Sequence, residues 1–60
     1  MITAEDKLSC IERELKYRHR VYTYMVANGK MTASLRDREI AVMEEIAADY
    51  RKLAAAERLI

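Results

Sequence analysis

One residue interrupts this chain. Proline is absent from its 60 positions and glycine occurs once, at Gly29, so the residue types that ordinarily break helices act at a single point near the middle. On both sides Ala, Leu, Glu, Lys and Arg dominate, all strong helix formers. Two long helices joined by a few residues must lie antiparallel. The expected fold is therefore all-α: an antiparallel two-helix hairpin forming one domain over residues 1–60, with a helix over about 4–28, a turn at 29–32 and a helix over about 33–59.

The ends of these helices carry capping chemistry. Thr3 can accept from the free amides of a first turn, where Glu5 and Asp6 complement the positive end of the helix dipole. Asn28-Gly29 supplies a left-handed stop. Thr32 or Ser34 can open the second helix, Ser34 with Asp37 three residues on as a capping box.

In the first helix Leu8, Ile11, Leu15, Tyr22 and Met25 recur at spacings of one buried stripe, with Arg18 in its gap. The second helix carries two stripes side by side. Ile40, Met43, Ala47, Tyr50 and Ala54 form one, and Leu35, Val42, Ile46, Leu53 and Ile60 form the other. One partner helix cannot cover both, and the sequence leaves open which of them meets the first helix. The simplest cover for the remaining stripe is a second copy of the chain, giving a homodimeric four-helix bundle; the alternative is a different protein. Leu35, Val42, Ile46 and Leu53 are thus the expected protein interface.

Composition narrows the remaining chemistry. Cys10 is the only cysteine and His19 the only histidine, so neither an intrachain disulfide nor a zinc site with several Cys and His ligands can form within one chain. A lone thiol fits a reducing compartment, and a cytoplasmic location is expected. Cys10, next to Ile11, reads as a small, partly buried apolar residue. The four methionines read as core or turn filler, and Tyr17, Tyr22, Tyr24 and Tyr50 as suppliers of large buried area. Eleven Lys and Arg against ten Asp and Glu leave a net charge of +1, which argues for neither nucleic acid nor membrane. No apolar run reaches the ~18 residues of a membrane span, and the first residues lack the pattern of a signal peptide, so a soluble, unprocessed chain without membrane partners is expected.

The stretch Arg13, Lys16, Arg18, His19 and Arg20, interleaved with tyrosines, is the one feature suited to phosphates and bases. It supports an alternative reading, a nucleic-acid-binding regulator using Lys16, Arg18 and Arg20. Folding the chain about Gly29 and Lys30, however, places residue i near residue 59 − i. Arg20 then falls near Glu39, Lys16 near Glu44 or Glu45, and Arg13 near Asp49, cancelling much of the positive potential. A helix-turn-helix reading of residues 24–33 fails because the would-be recognition helix continues into Glu39, Glu44, Glu45 and Asp49. A bundle di-iron site needs Glu three residues before His, and Lys16 stands there. No nucleophile, base and orienting group come together, so no enzyme, catalytic residue, cofactor or metal is expected.

The segments Glu12-Arg13-Glu14-Leu15, Gly29-Lys30-Met31-Thr32 and Asp37-Arg38-Glu39-Ile40-Ala41-Val42-Met43-Glu44 resemble small uncharacterised helical proteins of bacterial genomes and prophages, over most of the chain. That resemblance implies a helical hairpin and a phage or mobile-element context. In architecture alone, a dimer of such hairpins is similar to the plasmid-encoded Rop-type RNA-binding bundle, to which no residues match. The expected function is a non-catalytic protein-protein interaction or regulatory module that self-associates or docks on a larger protein.

Overall fold

A computed structural model describes residues 1–59. Two helices, α1 over Ala4–Ala27 and α2 over Ala33–Arg58, pack on each other as an antiparallel all-α hairpin. Thr3 caps α1 in a full capping box. Its hydroxyl accepts from the Asp6 amide at 3.1 Å while the Asp6 carboxylate accepts from the Thr3 amide at 3.0 Å, satisfying two of the amides that a helix start leaves free.

At the other end of α1 the sole glycine does what its position predicts. Gly29 takes φ +72°, the Lys30 amide donates to the Met25 carbonyl at 2.9 Å, and the Gly29 amide donates to Val26 at 3.1 Å. This pair of bonds is a Schellman closure, which needs a left-handed residue just past the cap. The chain then extends through Thr32 (φ −79°, ψ 151°), whose hydroxyl accepts from the Leu35 amide at 3.1 Å. Thr32 is therefore the cap. Ser34 already lies in the first turn of α2, the Ser34–Asp37 box does not form, and Asp37 instead accepts from Arg36 Nε at 3.0 Å.

The structure decides which stripe of α2 meets α1. Ala47 and Ala54 are buried and Ile40, Met43 and Tyr50 half-buried, whereas Leu35, Val42 and Leu53 are exposed and Ile46 half-buried. Ile60 lies outside the described residues. Opposite them on α1, Leu8 is buried and Ile11, Leu15, Arg18, Tyr22 and Met25 are half-buried. The two alanines let the helices approach closely, and the larger α1 residues fill the space left beside them.

The register differs from the 59 − i expectation. Glu5 pairs with Arg58 at 3.0 Å, Glu12 with Arg51 at 3.4 Å and His19 with Glu44 at 3.7 Å, all following residue i beside residue 63 − i. The offset comes from side-chain direction. Side chains on a helix lean toward its N-terminus, so in an antiparallel pair the two tips meet when each Cα lies about one residue or more beyond the point of contact. The expected pairs Arg20–Glu39, Lys16–Glu44 or Glu45, and Arg13–Asp49 are consequently absent among the described ion pairs.

Candidate protein interface

Helical phase and the interhelix contacts divide the long sides of the hairpin into two unlike faces. On one side lie the ion pairs Glu5–Arg58 and Glu12–Arg51 and the contact of His19 with Glu44, and on that side Glu12, Arg51, His19 and Glu44 line a polar groove with Lys16, Glu45 and Ala48. Both partners of each pair are about half exposed or more, so these contacts tune the register and add little stability. At the open end both carboxylate oxygens of Glu57 accept from the Ala4 amide, at 2.9 and 3.1 Å, placing negative charge at the positive end of α1.

The opposite side is marked by Lys7, whose ammonium lies 5.7 Å from the centre of the Tyr50 ring. At 100° per residue, the helical positions sharing this side are Cys10, Glu14, Tyr17, Val21 and Tyr24 on α1 and Leu35, Glu39, Val42, Ile46 and Leu53 on α2. The apolar members are open to solvent to an unusual degree: Val42 is 43% exposed, Leu35 47%, Tyr17 and Leu53 53% each, and Tyr24 71%. The side is thus an apolar face built from both helices, crossed by half-buried Glu14 and Glu39 near its inner seam.

Sequence reasoning found the α2 half of this face and missed the α1 half. Tyr17 and Tyr24 are exposed, not buried, while Tyr22 and Tyr50 are half-buried. Cys10 is exposed as well, because its neighbour Ile11 sits 100° away around the helix. The available signal was the seven-residue spacing of Cys10, Tyr17 and Tyr24, masked by the basic residues between them.

The three residues of the nucleic-acid reading do not share a face. Lys16 and Arg20 are exposed on the outer side of α1, but Arg18 is half a turn away, half-buried against α2. Arg18 Nη1 donates to the Tyr22 hydroxyl at 2.7 Å, its guanidinium carbon lies 5.9 Å from the centre of that ring, and its Nε is buried without a partner. The Arg20 guanidinium lies 5.8 Å from the centre of the Tyr17 ring. Among the described residues no three His, Cys, Asp or Glu side chains gather as a metal site, and no helix is long and apolar enough to cross a membrane. No family model, curated protein or solved structure matches the chain.

Proposed function

We propose that the chain is a non-catalytic protein-protein interaction module whose contact surface is the two-helix apolar face, with Leu35, Val42, Ile46 and Leu53 from α2 and Cys10, Tyr17, Val21 and Tyr24 from α1. One observation carries this reading: five large apolar or aromatic side chains, between 43% and 71% exposed, fall on the same side of the hairpin. A contiguous apolar surface of this kind marks an interaction site in a small protein. The phage or mobile-element setting implied by the sequence resemblance suits a small assembly module of this type.

Replacing Val42 and Leu53 together by Glu tests the reading through stability. On a bare hairpin both changes fall on exposed helix positions, where Glu is at least as good a helix former as Val and nearly as good as Leu, so unfolding should move by no more than about 0.5 kcal/mol. If the face is covered in solution, the same changes bury charge in an apolar contact and cost several times that amount, about 2 kcal/mol or more. Urea unfolding of both proteins at equal concentration separates the outcomes. A stability equal to wild type would contradict coverage of the face by the chain itself and assign the face to another protein.

A further inference from the structure

The surface of the whole chain and the charged border of the apolar face select an occupant. A compact monomer of 7.0 kDa exposes about 4,000 Å² by the scaling of folded chains, whereas this hairpin exposes 4832 Å². The excess, roughly 800 Å², matches what each partner contributes to a standard-size protein interface. The excess belongs to the whole chain, and a second hairpin laid on the apolar face would remove surface of this size from each copy.

Arg13 and Arg20 lie along the outer border of the face on α1, and Asp49 lies along that of α2, which also carries Arg38; among the described residues none of the four makes an ion pair within the hairpin. Two hairpins can meet through this face in two ways that keep neighbouring helices antiparallel. A two-fold axis across the helices sets α1 on α1 and α2 on α2, bringing Arg13 toward Arg20 of the second copy. A two-fold axis along the helices sets each α1 on the α2 of the other chain.

We infer that the occupant is a second copy of this chain in the latter arrangement. α1 of each copy packs on α2 of the other, and both turns lie at the same end of a four-helix bundle. The side-chain register seen within the hairpin, carried across this contact, sets Cys10 at the level of Leu53, Tyr17 at Ile46 and Val21 at Val42 of the second copy, with Arg13 beside Asp49. The arrangement brings Arg13 to Asp49 twice, once on each side of the axis, whereas Arg13 faces Arg20 in the alternative. The inference rests on the interface reading above and adds the identity and orientation of the partner.

A spin label at position 30, introduced as Lys30→Cys in a Cys10→Ala background, reports the orientation directly. With both turns at one end the labels should lie within about 20 Å, two bundle-packed helix diameters. Turns at opposite ends separate them by about 35 Å, the length of a helix. Charge reversal supplies the second test: Arg13→Asp and Asp49→Arg should each weaken dimerisation at least about fivefold, and the double variant should recover most of the loss. A long label distance, or a double variant weaker than either single one, overturns the orientation while leaving the interface reading intact if Val42→Glu with Leu53→Glu still disrupts the dimer. A dimer indifferent to that pair would overturn the interface reading itself. A chain without any self-association overturns the second copy as occupant.

Discussion

Arg18 is the residue whose environment departs most from its type. It occupies the gap in the inner stripe of α1, where helical spacing calls for an apolar side chain, and it satisfies one nitrogen on the Tyr22 hydroxyl while its Nε stays buried and unpartnered. A buried donor without a partner costs about 1 to 3 kcal/mol. Arg18→Met, which keeps the stem and removes the guanidinium, should leave the hairpin equally stable or raise its stability by about 1 kcal/mol in thermal unfolding. A loss of more than about 1 kcal/mol would mean that the guanidinium does more than cap Tyr22. Gly29 makes the complementary case. A Cβ there would meet nothing within 4 Å, so substitution tests backbone conformation alone. Gly29→Ala should cost about 1 kcal/mol, and Gly29→Asn less, because Asn tolerates the left-handed region better.

At the scale of the helices, capping and periodicity were legible in the sequence because they are local. Thr3, the closure at Gly29 and the double stripe of α2 all follow from residue types at fixed spacing. Thr32 and Ser34 were equally good caps by type, and only the extended backbone at Thr32 distinguishes them. Thr32→Ala should therefore cost about 1 kcal/mol in urea unfolding and Ser34→Ala close to nothing; equal losses would contradict the assignment. The helix-to-helix register was not legible. It depends on how far side chains lean along two antiparallel axes, so a count from the turn named the wrong ion pairs, and the observed pairs use acidic residues on α1 and basic residues on α2 for two of three contacts. The α1 half of the apolar face was hidden for a related reason: Tyr17 and Tyr24 look like core residues by type, and only their phase relative to Leu8 and Leu15 turns them outward.

The whole molecule is a single layer. Its Cα extents are 48 × 17 × 12 Å and its radius of gyration is 14.0 Å, against about 10 Å for a compact chain of this length. A protein one helix thick has no interior of its own, and only Leu8, Ala47 and Ala54 are buried apolar residues among those described. Stable helical domains bury their apolar stripes between layers, and the second layer proposed here is another hairpin. Sedimentation equilibrium of the purified chain under reducing conditions, with absorbance followed at both protein and nucleic-acid wavelengths, tests this most directly. A bundle of two hairpins should sediment as a particle of twice 7.0 kDa with no nucleic-acid absorbance, falling to the monomer mass when Val42 and Leu53 are both replaced by Glu. A folded wild-type monomer at millimolar concentration, or a dimer that survives those two substitutions unchanged, would contradict it.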